Sequence, residues 1–269
     1  MPFEHLKSML GGRRDRPDPR DLFHLPKLGP AELPPAVDLR EGCPPVWDQG
    51  KLAACTAHAI AGAIAYSRRK HGQTPDFTPS RLFIYYHERA ARGDEAVDSG
   101  ASTRDGIKVA RTLGAPDETL WPYDATPAST PGGAFPADSR AAQKPPAEVY
   151  EAASAHQVRR FRRLKNDLLT MKSCLAEGYP HTIGIVVYPS FVGSDGKQQT
   201  VTPMPGLDEQ PLGEHVVLAV GYDDARQWLI CRNSWGSAQG DGGYFYLPYK
   251  YASSKPRIGD LWTLITVES

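Results

Sequence analysis

The apolar residues of this chain change period part-way along it, and that change limits the fold more than any other feature. Up to about residue 123 they recur at helical spacing; beyond about 180 they gather in short runs bounded by Gly, Asp and Pro. Residues 54–71 read as a helix with Gly72 as its stop. Thr78-Pro79-Ser80 reads as the next helix start, with Thr78 at the N-cap and Pro79 in the first helical position. Leu82, Phe83, Tyr85 and Tyr86 supply its buried face. Ile107, Val109, Ala110 and Leu113 mark a third helix over 103–113, closed by Gly114. A stretch rich in Pro, Ala, Gly and Ser occupies 124–147, and a short helix is expected near 164–177. Strands are expected over 182–188, 216–222, 228–232, 243–247 and 261–267. A helical half followed by a strand-rich half, with no internal repeat, predicts an α+β protein with an antiparallel sheet.

The 269 residues suffice for one large domain or two lobes around a shared interface. Lys+Arg and Asp+Glu are both 31, so net charge gives no reason to expect a nucleic-acid or membrane partner. No apolar run is long enough to cross a bilayer, and Met1–Leu10 lacks the apolar core of a signal peptide. The expected location is cytoplasmic, with export by a non-standard route left open. Cys43, Cys55, Cys174 and Cys231 are too few for a disulfide framework, and none has zinc-site spacing. A reducing compartment, no metal, no cofactor and a monomeric state are the expectations that follow.

Residues 1–36 are basic, and Pro17, Pro19, Pro26, Pro30, Pro34 and Pro35 prevent a long helix. They read as an extended arm with one helical turn near Glu4–Met9. Its apolar set Leu22, Phe23, Leu25 and Leu28 argues for packing rather than disorder. Val158-Arg159-Arg160-Phe161-Arg162-Arg163 is a local basic patch, read first as a solvated strand edge and second as a site for an acidic or phosphate-bearing partner.

Four residues carry the chemistry. Cys55 opens the 54–71 helix, where unpaired N–H groups and the macrodipole lower a thiol's pKa and favour the nucleophilic thiolate. Gln49, six residues earlier, offers an amide N–H to an oxygen that becomes negative, and the Cys55 backbone N–H would be the second donor. His215 stands at the mouth of the apolar run Val216–Tyr222, on a rigid element. Asn233 follows the 228–232 strand; its amide oxygen can accept the imidazole N–H and fix the ring, and Trp235 can shield that bond. Taken singly, each has a plainer reading as a buried cysteine, a loop glutamine, a satisfied histidine or an ordinary turn. The conjunction points to acyl transfer by a thiol.

Three segments carry a family resemblance: D-Q-G-x-x-x-x-C around Cys55, E-H-V-V-x-A-V-G-Y around His215, and N-S-W-G…G-D-G-G-Y-F around Asn233. In these the chain resembles the papain family of cysteine peptidases, and more narrowly its short bacterial members. Leu33-Pro34-Pro35-Ala36-Val37-Asp38 is similar to the start of a mature papain-like domain, and Trp121-Pro122-Tyr123 to a landmark between its lobes. The resemblance spans about residues 33–269. It implies a helical left lobe bearing the cysteine, a β-barrel-like right lobe bearing histidine and asparagine, and a cleft between them. In this chain that places the arm at 1–32, the left lobe at 33–123, the inter-lobe loop at 124–147 and the right lobe at 148–269. It also implies Cys55 as nucleophile, His215 as base then acid, Asn233 as orienter and Gln49 as oxyanion donor. Gly100, Ala101, Ser102, Glu214 and Trp235 are its implied substrate-binding residues, with a peptide or protein as substrate.

Departures from the family pattern are equally informative. Leu52-Ala53-Ala54-Cys55-Thr56 stands where the local signature is C-G-[SA]-C-[WY]. The resemblance implies that Leu52 and Ala101 replace both ends of a disulfide. His215 and Asn233 lie 160 and 178 residues after Cys55, beyond the family's interval of about 130–150, and the 124–147 loop accounts for the excess. His58 is read as core. The arm is too short for the family's helical propeptide, yet long enough to cover the cleft as an inhibitor. The leading reading is therefore an endopeptidase. Its rivals are a non-catalytic papain-fold binding protein, and an exopeptidase or acyl-transferase using the same thiol.

Overall fold

The computed structural model describes residues 3–268. Its centre is α2 (Cys55–Lys70), in which every residue from Cys55 to Arg68 is buried. A helix enclosed on all faces needs small or apolar residues all round, which the Ala- and Ile-rich sequence supplies. It ends at His71, and Gly72 follows at φ +64°. The next helix, α3 (Arg81–Ala90), starts two residues later than expected. Ser80, not Thr78, is its N-cap, accepting the Phe83 N–H at 3.2 Å, while Pro79 lies in an extended bridge to Asp117. The Ser80 hydroxyl also donates to the Trp121 carbonyl at 2.7 Å, and this tertiary contact chooses between two sequence-plausible caps. A short strand, β3 (Ala101–Ser102), leads into α4 (Thr103–Thr112), whose cap Ser102 accepts from the Asp105 N–H.

The strand-rich half forms one sheet. Its path is β4 (Val158–Arg163), β10 (Trp262–Val267), β5 (His181–Val187), β6 (Gly213–Asp223), β7 (Trp228–Arg232) and β8 (Tyr244–Pro248). Two shorter strands join beside the path: β2 (Ala36–Asp38) pairs with β6, and β9 (Ile258–Gly259) with β5. All these pairings are antiparallel, as expected. The barrel-like expectation is corrected: among the described residues β4 and β8 do not pair, so the sheet stays open. The arm lines the β4 edge instead, through the Arg163 N–H to Leu22 O and the His24 N–H to Arg163 O. A further helix, α5 (Ala147–Ser154), which the sequence reading does not include, begins where the Pro-rich 124–147 stretch ends and precedes β4.

The uninterrupted apolar run of β6 has a simple cause. Leu218 and Val220 face a core shared with α2, α3 and α4, whereas Val217 and Ala219 face a second core with β5, β8 and α6 (Leu168–Ala176). A strand buried on both faces loses polar alternation. β6 is thus the shared wall between two cores, and the site lies at its beginning.

The N-terminal segment contains the expected turn, α1 (Glu4–Ser8), followed by β1 (Gly12–Arg13), which pairs in parallel with β3. The expected anchor is corrected. Leu22, Phe23 and Leu25 are exposed, and the arm packs through Leu6 and Met9 in the second core. The basic patch is β4; its Arg159 meets Glu268 at 2.5 Å and its Arg163 meets Asp21 at 2.6 Å, so two of its four charges are partnered within the chain.

Candidate active site

Cys55 is the first residue of α2 and is completely buried, packed against Ala59 and Val216. His215 precedes Val216 on β6. Antiparallel pairing of β6 with β7 brings the end of β7 alongside, and Asn233 follows directly. The His215 Nε2 to Asn233 Oδ1 distance is 2.7 Å. The Ser234 backbone N–H also reaches Asn233 Oδ1, at 2.8 Å, which fixes that atom as oxygen because its partner can only donate. His215 Nε2 must then carry the proton, and Nδ1 is left as the basic nitrogen. The Trp235 ring lies 4.8 Å from the His215 ring, centroid to centroid, and walls this pair.

Gln49 is fully buried and tightly held. Its Oε1 accepts from the Ser234 hydroxyl at 2.6 Å, and its Nε2 donates to Leu52 O at 2.6 Å. The Tyr123 hydroxyl donates to Gln49 O at 2.9 Å. The second Nε2 proton points to Met9 O at 3.0 Å. Gln49 therefore aims one fixed donor at a carbonyl of the arm.

Residues 9–14 run through the site. The Gly11 N–H favours the charged form of the Cys55 sulfur, as do the Val216 and Thr56 N–H groups. Gly11 O accepts the Ala101 N–H at 2.8 Å, and Gly12 and Arg13 then pair with Ala101 and Ser102. The Arg14 Nε reaches Glu214 Oε1 at 2.6 Å. Steric fit explains the glycines. A Cβ on Gly11 would lie 1.8 Å from Ala53 O, and one on Gly100, at φ +66°, 2.2 Å from Gly11 O.

This covering changes the electrostatics expected from the sequence. Burial pushes the Cys55 thiol up to about 11, despite its N–H donors, instead of down. Burial also takes His215 down to about 4, against the Asn233 bond. The Met9 carbonyl favours the charged imidazole, yet its geometry leaves Nδ1 without a hydrogen bond. With the arm in place the pair is a neutral thiol and a neutral imidazole. Cysteine, imidazole and two amides are nevertheless gathered beneath the arm, Cys55 against Val216, His215 on Asn233 and Gln49 on Ser234, and these are the side-chain types that thiol-mediated acyl transfer uses.

Comparison with known proteins agrees with this assembly. The sequence profile of the papain family cysteine proteases matches residues 33–256. The chain belongs to the papain family of cysteine proteases. It is 42% identical to xylellain, a cysteine protease from Xylella fastidiosa, with a TM-score of 0.92 over 97% of each chain. It is 37% identical to an uncharacterized peptidase C1-like protein of Acanthamoeba polyphaga mimivirus, over 81% of this chain and 68% of that one. Cathepsin K of Gallus gallus is 27% identical over 91% of this chain and 68% of that protein. The chain is thus a cysteine peptidase with a papain-like fold.

Within that fold the structure brings Cys55, His215, Asn233, Gln49 and Trp235 together, and sets Gly100, Ala101, Ser102 and Glu214 against the arm. His58 lies in the core, its Nδ1 2.9 Å from Ala54 O and its ring edge-on to Tyr123. Sequence reasoning missed Gln198, whose Oε1 accepts from Asn233 Nδ2 at 2.7 Å and completes the support of that side chain. Residues 188–212 have no periodicity, so nothing marked it. It also missed Met9 and Gly11. The Gly11-Gly12 pair inside an otherwise Arg- and Pro-rich arm was the available signal for a close approach.

Proposed function

We propose that the chain is a papain-type endopeptidase held at rest by its own residues 9–14. The observation that carries this reading is the Met9 carbonyl on Gln49 Nε2, where the oxygen of a substrate carbonyl would go. The arm also supports endo- over exopeptidase action, since a continuous chain passes the nucleophile with residues on both sides. When the arm leaves, water relieves the burial that holds the thiol neutral, and the proton moves from Cys55 Sγ to His215 Nδ1. The thiolate attacks the substrate carbonyl carbon, and Gln49 Nε2 with the Cys55 N–H receives the negative oxygen. The imidazolium gives its proton to the amine nitrogen, the C–N bond breaks, and an acyl thioester remains. Water then loses a proton to Nδ1 and attacks, the C–S bond breaks, and the acid departs. Asn233 keeps the ring in plane through both halves. Trp235 flanks the side on which the amine leaves.

The test replaces Gly11 in the full-length chain. Gly11→Leu cannot keep the arm against Ala53 O. Labelling by an epoxide cysteine-peptidase inhibitor, and peptide cleavage, should rise by about tenfold or more over the unsubstituted chain, the factor that 1.4 kcal/mol of arm binding represents. Cys55→Ala should abolish both. Equal rates with and without the substitution would remove the arm from regulation. Absence of labelling in both proteins would favour the non-catalytic reading.

A further inference from the structure

One arm residue is held more elaborately than occlusion of a thiol requires. Asp15 is only 9% exposed, although it belongs to a surface arm. Its Oδ2 accepts from Trp262 Nε1 at 2.8 Å, and its Oδ1 from the Arg104 backbone N–H at 2.9 Å, in the first turn of α4. Its own N–H donates to Asp260 Oδ1 at 3.1 Å. Burial holds the Asp15 carboxyl above its ordinary value; the Trp262 and Arg104 hydrogen bonds and the Arg104 and Arg163 guanidiniums, 5.2 and 5.6 Å from the Trp262 ring centroid, work against it. Every donor in this cradle belongs to α4, β4 or β10, none to the arm. A cavity of about 940 Å³ opens beside it.

We propose that this cradle is a carboxylate-binding subsite of the cleft, which takes an acidic side chain of any peptide that displaces the arm. The inference rests on the arm being displaceable. Its physical basis is the pair of buried N–H donors. With Asp15 gone, Trp262 Nε1 and the Arg104 N–H lose the carboxylate that accepts from both and open onto the cavity, where water is left to replace it. A second carboxylate restores both bonds under the same two guanidiniums. Those two donors recognise a carboxylate whichever way the peptide runs, whereas the Asp260 contact to a backbone N–H belongs to the arm's own direction. Trp235 lies at the other end of the arm's path, near α1, so the subsite lies on the acyl side of the nucleophile.

The test measures binding, independently of catalysis. The full-length chain carrying Gly11→Leu, Cys55→Ala and Asp15→Asn, the last to empty the cradle of its own carboxylate, is titrated at pH 6 with a synthetic peptide of residues 8–21, and with the same peptide carrying Asp15→Asn. The Asp peptide should bind about tenfold or more tightly, in line with hydrogen bonds to a charged acceptor. Trp262→Phe in the protein, which keeps a ring and removes the N–H, should erase most of that difference. Equal affinity of the two peptides, or no binding of either, would overturn the subsite. Peptide cleavage by the Gly11→Leu chain with Cys55 intact is measured in parallel. A failure there bears on the peptidase reading and leaves the binding result standing.

Discussion

At the scale of single residues, Gln49 shows how much of a site depends on what holds it. Its amide oxygen is pinned by Ser234 and one amide proton by Leu52 O, so the remaining proton has a fixed aim. A donor positioned in advance stabilises developing charge without reorganisation at the moment of reaction. In the Gly11→Leu background, Gln49→Ala should lower kcat by roughly a hundredfold to a thousandfold and leave KM nearly unchanged. Steady-state kinetics on one fluorogenic peptide checks this, and a loss confined to KM would refute it. The types of Cys55, His215, Asn233 and Gln49 could be read from the sequence because each chemistry needs that side chain. Their protonation could not. A helix N-terminus predicts a lowered thiol, but the covering arm removes water, and desolvation outweighs the N–H donors.

At the scale of elements, strands β5 to β8 were legible to within a few residues, since short apolar runs between turn formers leave little choice. Helix boundaries were legible where only local signals act, as at the end of α2. They failed where a long-range bond decides, as at the start of α3. Ser80 bonds both the Phe83 N–H and the Trp121 carbonyl, so it couples the cap to the segment leading out of the helical half. Ser80→Ala should therefore cost about 1–2 kcal/mol and lower Tm by roughly 2–8 °C, at about 2–4 °C per kcal/mol for a chain of this size. Ser80→Thr, which keeps the hydroxyl, should recover most of the loss. Calorimetry of the two variants decides it, and an unchanged Tm for Ser80→Ala would show that the cap contributes nothing. The openness of the sheet had no sequence signal, because closure depends on which segment reaches the β4 edge first in space.

At the scale of the whole molecule, the arm joins both halves through charged groups that respond to pH in opposite senses. Burial and the neighbouring negative charge of Asp15 push Asp260 up to about 7. The groups facing this pair are Arg14 from the arm, Glu214 from β6, Arg104 from α4, Arg163 from β4 and the Trp262 N–H from β10. With the arm away, both carboxyls return towards the ordinary value of about 3.9. The closed state thus binds a proton that the open state lacks. Its stabilisation is complete below the ordinary value and is lost as pH rises through about 7. Asp21 works the other way. Hydrogen bonds from Arg104 and then Arg163 hold it below the usual range, so its contribution is present above the ordinary carboxylate value and is lost on acidification. The arm should be held best between roughly pH 4 and 7 and loosen towards pH 8. Tryptic cleavage after Arg13 and Arg14 in the Cys55→Ala chain reads this, normalised to cleavage of a free arm peptide at each pH. Normalised cleavage should rise several-fold from pH 6 to 8, and Asp260→Asn, which cannot take up the charge, should flatten the rise; equal protection at both pH values would show that the buried pair does not control the arm.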